Sequence, residues 1–252
     1  MIRATVLASA LVAAVTPGLA AQDSTEEAVR QRALIPYRLG FDHMSHEAFD
    51  EAAREFQRAT KADPTFEMAH YMLGRANLAR KRYVEAVAAL NEARRLYRLQ
   101  SGRQFSSAQD AQRFRRDTIT EIDEYIRQLQ NRRQTSQTAE QIRQLNERRR
   151  QLQNAVSRGN NMTLEISVPS YVSLSLGSAY FRMGNLAEAE QTYLEAIQAD
   201  PKTGEAHNNL AVVYFETGRY PEAERAMRAA EKAGFRVHPE LKAQIVARSK
   251  SL

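Results

Sequence analysis

The feature that most constrains this chain is a repeat with a period of 34 residues. The segments 180–184 (YFRMG) and 214–218 (YFETG) are 34 residues apart, and so are 196–201 (AIQADP) and 230–235 (AEKAGF). A fifth segment, 59–64 (ATKADP), ends in the same Ala-Asp-Pro as 196–201. Self-similarity at a fixed period of this size indicates stacked supersecondary units, each of which buries its apolar face against its neighbours.

The period and the residues that recur in it resemble the tetratricopeptide repeat. In one register Gly177, Tyr180, Ala189, Tyr193 and Pro201 stand where the family places Gly, Tyr, Ala, an aromatic residue and Pro. Four registers can be written, at 33–66, 67–100, 170–203 and 204–237. The resemblance implies an all-α solenoid of helix-turn-helix repeats, in which small residues such as Gly177 lie where the two helices of a repeat cross.

The chain between the second and third repeats, residues 101–169, matches no repeat and predicts two further helices. Residues 107–110 (SAQD) cap a helix expected to run to about Arg133, and residues 138–141 (TAEQ) cap a second one that ends near Val156. The second helix has a heptad-like apolar face. We therefore expect an antiparallel, coiled-coil-like hairpin that projects from the repeats.

The positive charge of the chain is concentrated in this insertion. Residues 101–158 contain twelve arginines and seven acidic residues, a net charge of +5, while the whole chain carries +6. Arginines on long helices usually form a solvated face. The alternative is a surface that contacts lipid headgroups, an acidic protein or a cell-wall polymer. The clustered candidates for such a contact are Arg143, Arg148, Arg149 and Arg150.

The first residues have the three parts of a secretory signal peptide. Arg3 precedes an apolar run over 4–15, and small residues follow a Pro-Gly pair, which predicts cleavage after Ala20 or Ala21. An uncleaved N-terminal anchor is the alternative. The chain contains no cysteine, which excludes a lipid-modified cysteine, disulfides and thiolate metal sites. We expect an exported protein, periplasmic or secreted, assuming a bacterial source.

Helices are also predicted on both sides of the repeats. Residues 24–27 (STEE) form a capping box, which predicts a short helix over 25–34 that Pro36 breaks or kinks. A helix over 239–249 is expected to cap the last repeat. The predicted organisation is a signal peptide at 1–21, an N-terminal helix with two repeats at 24–100, the hairpin and its linker at 101–169, two repeats at 170–237 and a capping helix at 238–252.

The sequence contains no motif for catalysis or cofactor binding. It lacks a Gly-rich phosphate loop, a nucleophile elbow and a zinc signature. His43 and His46 are three residues apart, but a metal site needs a further ligand that the sequence does not provide. We therefore expect a non-catalytic protein with no metal and no cofactor.

The resemblance also implies where a partner binds, because in this family the first helices of the repeats line a concave groove. The implied groove residues are Tyr37, Arg38, Phe41, Tyr71, Met72, Arg75, Tyr171, Ser175, Ser178, Asn208, Asn209, Val212 and Glu216. Tyr37 and Phe41 stand where the family's clamp for a C-terminal carboxylate has Lys and Asn. That clamp is not reproduced.

The predicted function is a scaffold or adaptor that binds a protein or peptide in the concave groove. The alternative is a protein that binds an envelope polyanion or a membrane surface through the Arg-rich hairpin. Self-association through the hairpin is a further option, whereas nucleic acid is disfavoured because no stacking aromatic module accompanies the arginines. No run after the signal peptide is typical of a transmembrane helix. The sequence leaves open whether the two pairs of repeats form one stack or two lobes.

Overall fold

The computed structural model describes residues 18–101, 104–105, 107–131, 136–157 and 167–250, and it forms eleven helices within these ranges. They are α1 (Gly18–Ser45), α2 (Phe49–Ala62), α3 (Glu67–Ala79), α4 (Tyr83–Gln100), α5 (Ala108–Gln130), α6 (Ser136–Ser157), α7 (Ser170–Arg182), α8 (Leu186–Ala199), α9 (Gly204–Glu216), α10 (Tyr220–Lys232) and α11 (Pro239–Ser249). The described part of the chain contains no β-strand, so the predicted all-α class is confirmed.

The four repeats form one continuous stack. Helices α1 to α4 and α7 to α10 form four antiparallel hairpins, and each packs on the next through α2 and α3, α4 and α7, and α8 and α9. The contact between α4 and α7 joins the two pairs of repeats directly, although residues 101–169 separate them in sequence. Across this joint Asn91 donates a hydrogen bond to Tyr180 Oη at 3.2 Å, and beside it Arg94 of α4 donates one to Glu195 of α8 at 3.1 Å. The question of one stack or two lobes is settled in favour of one stack.

The turn inside each repeat places one residue in the left-handed region of backbone conformation. Gly184 and Gly218 occupy this position in the third and fourth repeats, with φ of 79° and 73°. Glu47 and Lys81 occupy it in the first two repeats, with φ of 58° and 60°. Glycine adopts this conformation without a clash of Cβ, whereas other residues are strained in it. The turn is therefore a property of the repeat, even where glycine is absent.

The small residue in the first helix of a repeat allows the second helix to approach closely. A Cβ atom added to Gly177 would lie 2.6 Å from Tyr193 Cε1, and one added to Gly74 would lie 2.5 Å from Leu90 Cγ. A carbon atom cannot approach another that closely, so these crossings require glycine. They bury the side chains of Tyr193 and Leu90 in the core of their repeats.

Helix α1 differs from the prediction for the N-terminal region. The short helix expected over 25–34 is wrong, because α1 continues through Pro36 to Ser45. Ala33, Tyr37 and Phe41 are buried on one face of α1. Burial of this face stabilises the helical path and offsets the backbone hydrogen bond that Pro36 cannot donate. Residues 1–17 of the predicted signal peptide lie outside the described residues.

The insertion forms the helix pair α5 and α6, which pack against each other. Ser107 Oγ accepts the backbone N–H of Asp110 at 3.0 Å and caps α5 as predicted. The helix ends at Gln130, before the end expected at about Arg133. The expectation that the pair projects from the repeats is wrong. Its apolar side chains, including Ile122 and Leu129, belong to the same buried core as the first helices of the N-terminal repeats, because docking removes both apolar surfaces from water.

Helix α11 lies against α10 at the C-terminal end of the stack and buries Ile245. Lys242 Nζ contacts Glu231 of α10 at 2.6 Å, and Ser249 Oγ donates to Glu224 of α10 at 2.6 Å. A terminal repeat leaves an apolar face without a neighbour. The last helix covers that face.

Candidate partner-binding groove

The predicted groove residues lie on α1, α3, α7 and α9, and the structure divides them into two groups. We call the first group the N-terminal groove; it comprises Tyr37, Arg38, Phe41, Tyr71, Met72, Arg75 and Tyr171. We call the second group the C-terminal groove; it comprises Ser175, Ser178, Asn208, Asn209, Val212 and Glu216. Five side chains of the N-terminal groove are at most 3% exposed, namely Tyr37, Phe41, Tyr71, Met72 and Tyr171, whereas the C-terminal groove is half-buried or exposed.

Tyr125 of α5 lies in the N-terminal groove. Its ring packs against that of Phe41 with the ring centres 5.1 Å apart. Its hydroxyl accepts a hydrogen bond from Arg75 Nη1 at 2.7 Å, and the Arg75 guanidinium lies 6.0 Å from the centre of the Tyr71 ring. A guanidinium beside an aromatic face, with a phenol oxygen as its acceptor, is a well-satisfied arrangement for a half-buried cation. The chain thus supplies its own ligand to this part of the groove.

A second contact between α5 and the repeats is a cluster of charges around Arg30 of α1. The guanidinium lies 2.6 Å from Asp63, 3.7 Å from Glu67 and 3.5 Å from Glu121 of α5. The pKa of the Glu121 carboxyl is raised to about 7, mainly by burial; Arg30 acts to lower it, and the neighbouring Glu67 acts to raise it. The cluster therefore holds α5 in place through a carboxyl that is protonated more readily than a free one.

The third contact lies nearer to solvent. Arg38 Nε of α1 donates to Glu124 of α5 at 3.2 Å, and the Arg38 side chain is 55% exposed. Exposed ion pairs of this kind contribute little to stability. Glu124 and Glu121 are three residues apart and meet two different arginines of the same helix, Arg38 and Arg30.

The arginines of α6 that were predicted to contact an anionic surface have partners within the chain. Arg143 Nη2 donates to Asp200 at 2.8 Å, Arg149 Nη1 donates to Asp123 at 2.8 Å, and the guanidinium of Arg148 lies 5.2 Å from the centre of the Tyr97 ring. Arg150 is exposed. The four arginines are therefore not displayed together as an open basic face.

The C-terminal groove presents amides and hydroxyls. Tyr193 donates to Ser178 Oγ at 3.4 Å, and Asn208 Nδ2 contacts Asn209 Oδ1 at 3.4 Å. Asn208 Oδ1 is buried and has no hydrogen-bond partner within the described part of the chain. A buried amide oxygen without a donor is unfavourable. Because the Asn208 side chain as a whole is only half-buried, it can turn this oxygen outward to a donor from outside the molecule, such as a backbone N–H of a bound peptide.

Sequence reasoning missed the residues that fill the N-terminal groove, namely Arg30, Glu121, Glu124 and Tyr125. The only signal in the sequence was Tyr125 itself, the one tyrosine among the apolar residues of α5. Charge gave no signal, because Arg38 and Glu124 are 86 residues apart and many other pairs of opposite charge were available.

The described residues offer neither a metal site nor a membrane span. They contain no group of three or more His, Asp or Glu side chains that could hold a metal ion. Among the helices described above, none combines the length and the apolar character needed to cross a membrane.

Comparison with solved structures finds matches at low sequence identity. The first tetratricopeptide repeat domain of Spaghetti (RPAP3) bound to the HSP90 peptide SRMEEVD is 16% identical, with 75% of this chain and 94% of that chain covered and a TM-score of 0.45. A thermophilic repeat protein of Thermus thermophilus, TTC0263, is 19% identical, with 86% and 99% covered and a TM-score of 0.35. YrrB, described as having an unusual peptide-binding site, is 15% identical, with 91% and 97% covered and a TM-score of 0.30.

The decisive comparison is at the level of the family. No curated protein matches the chain at a significant level. The family model of the tetratricopeptide repeat matches residues 37–101 and 174–234, which together make up half of the chain. Both stretches coincide with the stacked hairpins of the structure and exclude α5 and α6. The chain belongs to the tetratricopeptide repeat family.

Proposed function

We propose that this protein is a non-catalytic scaffold or adaptor that binds a protein or peptide partner through its concave groove. Tetratricopeptide repeat proteins generally mediate protein–protein interactions and are typically non-catalytic modules. The single observation that carries the proposal is the state of the C-terminal groove. It keeps half-buried polar side chains on α7 and α9 and a buried, unpartnered oxygen at Asn208 Oδ1.

The chemistry of this surface fits a peptide backbone. Asn208 and Asn209 each offer an amide that can donate and accept at once, and Ser175 and Ser178 offer hydroxyls. Val212 adds a small apolar contact between them and Glu216. Amides that pair with backbone N–H and C=O groups fix the direction and register of a peptide without reading its side chains.

A crosslinked pull-down with the full chain tests this function. The bait is compared with a variant carrying Asn208→Ala and Asn209→Ala, and with a control carrying Gln191→Ala and Gln198→Ala on the exposed face of α8. We expect a protein partner that is captured by the native and control chains in high salt and is reduced at least tenfold by the groove variant. A partner captured equally by all three chains would refute the assignment of the groove.

The alternative function, binding of an envelope polyanion or a membrane surface through the Arg-rich hairpin, has less support. Arg143, Arg148 and Arg149 are already engaged within the chain. Binding that depends on these arginines should fall steeply with ionic strength, so the same pull-down at low and high salt separates the two functions.

We further propose that the protein acts outside the cytoplasm. The support is the N-terminal sequence, in which a basic residue, a short apolar run and small residues succeed one another over 1–21. N-terminal sequencing of the native protein tests this directly. A mature chain that begins at Ala21 or Gln22 is the expected result, and an intact Met1 in a cytoplasmic fraction is the contrary one.

A further inference from the structure

We propose that the N-terminal groove recognises an amphipathic helix that carries two glutamates and a tyrosine, and that α5 occupies this site as a built-in competitor of the partner. The inference rests on the proposed function, which it deepens by naming the class of partner and how its access is controlled. The pattern is Glu121-Ile122-Asp123-Glu124-Tyr125-Ile126. Its two glutamates and the tyrosine contact the repeats, and Ile122 and Ile126 are buried beside them.

The contacts fix the position and direction of α5 in the groove, because Glu121, Glu124 and Tyr125 each contact a different arginine of the repeats. Glu121 lies 3.5 Å from Arg30 and Glu124 lies 3.2 Å from Arg38, both on α1. Tyr125 reaches past α1 to Arg75 of α3. Glu124 and Tyr125 stand three and four residues after Glu121, the spacings at which helical residues share a face with it. A helix with this spacing meets three arginines at once, and one without it leaves the half-buried Arg30 and Arg75 without these partners.

The groove is not fully satisfied by α5. Tyr37 is 3% exposed, and its hydroxyl has no hydrogen-bond partner within the described residues. A buried hydroxyl without a partner is less stable than a bonded one. The Arg38–Glu124 pair is half exposed and contributes little to the hold of α5. A partner helix that also offers an acceptor to Tyr37 has an advantage over α5 and can displace it.

The experiment uses a fluorescent peptide with the sequence of residues 108–130 as the probe and the full chain as the receptor. In the native chain the tethered α5 competes with the peptide. Glu124→Lys reverses the exposed ion pair and Tyr125→Ala removes the tyrosine, so both variants weaken docking of the chain's own α5. Thr120→Lys is the matched control, because residue 120 is exposed on the same helix. We expect the peptide to bind the two opened variants at least tenfold more tightly than the native and control chains.

A second measurement detects displacement of α5 from the groove without relying on the affinity of the peptide. The chain has no cysteine, so Lys61→Cys on α2 and Arg127→Cys on α5, both exposed, accept a pair of spin labels. The distance between the labels should lengthen in the opened variants and when the peptide saturates the native chain. A peptide with lysine at both glutamate positions should neither bind nor lengthen the distance.

Three results would overturn the proposal. The first is an opened variant with a lengthened label distance that does not bind the peptide. The second is peptide binding to all chains alike with the distance unchanged, which places the peptide elsewhere. The third is an unchanged distance in both variants, because the contacts named here would then not hold α5. A partner that still depends on Asn208 and Asn209 in the pull-down would keep the proposed function intact in all three cases.

Discussion

At the residue scale, the strained turn at Lys81 offers a direct test of the repeat geometry. Lys81 and Gly184 stand at the same place in their repeats with φ of 60° and 79°, and a Cβ built on Gly184 meets nothing within 4 Å. Lys81→Gly should therefore raise the free energy of unfolding by about 1 kcal/mol, and Gly184→Lys should lower it by about as much. Urea denaturation measures both. Ala79→Gly, in helical conformation, should destabilise, and stabilisation there would contradict the explanation.

A second residue-scale prediction concerns the crossing of the two helices in the third repeat. The fourth repeat carries Ala211 and Met227 where the third carries Gly177 and Tyr193, and all four side-chain positions lie in the core. Gly177→Ala alone should cost about 1–3 kcal/mol through overpacking against Tyr193. Adding Tyr193→Met replaces the rigid ring by a flexible side chain that can make room for the new methyl group. The double variant should therefore lose at least about 1 kcal/mol less stability than the sum of the losses in the two single variants.

The control for this cycle is Tyr193→Met alone, which removes the hydroxyl contact to Ser178 and should destabilise the chain. Stability is measured by urea denaturation of all four chains. If the changes in the free energy of unfolding from the two substitutions simply add, the close approach at Gly177 does not determine which residue the second helix can carry at position 193.

At the element scale, docking of α5 should depend on pH through Glu121. Burial raises the pKa of this carboxyl to about 7 from its ordinary value of 4.5, so docking takes up a proton. The stabilisation is complete below pH 4.5 and is lost as the pH rises through 7. The groups that face the carboxyl are Arg30 and Tyr37 on α1, Glu67 on α3 and Asp117 on α5, and Asp63 after α2 pairs with Arg30.

The measurement is the distance between labels at positions 61 and 127, taken at pH 5 and pH 8. In the native chain the docked fraction should be smaller at pH 8. Glu121→Gln is neutral at both pH values, so its docked fraction should be the same at pH 5 and pH 8. A difference of the same size in the glutamine variant would assign the pH dependence to another group.

At the scale of the whole molecule, local patterns predicted the repeats and could not predict where the hairpin lies. The 34-residue period depends on neighbours in sequence, such as Gly177 and Tyr193 in one helical hairpin. The docking of α5 depends on contacts between distant residues, such as Arg75 and Tyr125, which are 50 residues apart. An amphipathic face predicts that a helix is covered, but not by which surface. The C-terminal groove follows from the repeat, whereas the occupied N-terminal groove needed the structure.

The continuous stack leads to the last prediction, which concerns cooperativity. Repeat arrays unfold as one unit when the interfaces between neighbouring repeats are strong. When one interface is weakened, the repeats on its two sides unfold in separate transitions. The joint between α4 and α7 buries Tyr97 and Tyr171, whose hydroxyl oxygens lie 3.1 Å apart. The native chain should therefore unfold in one transition, followed by circular dichroism because it has no tryptophan.

Tyr97→Ala with Tyr171→Ala should weaken this joint and split the unfolding curve into two transitions, one for each pair of repeats. Each truncation of a large buried ring should cost about 3–5 kcal/mol. Hydrogen exchange read by mass spectrometry identifies which helices open first. Leu194→Ala, an exposed position on α8, is the control and should leave one transition. A single transition in the double variant would mean that the docked hairpin, rather than the α4–α7 joint, couples the two halves of the stack.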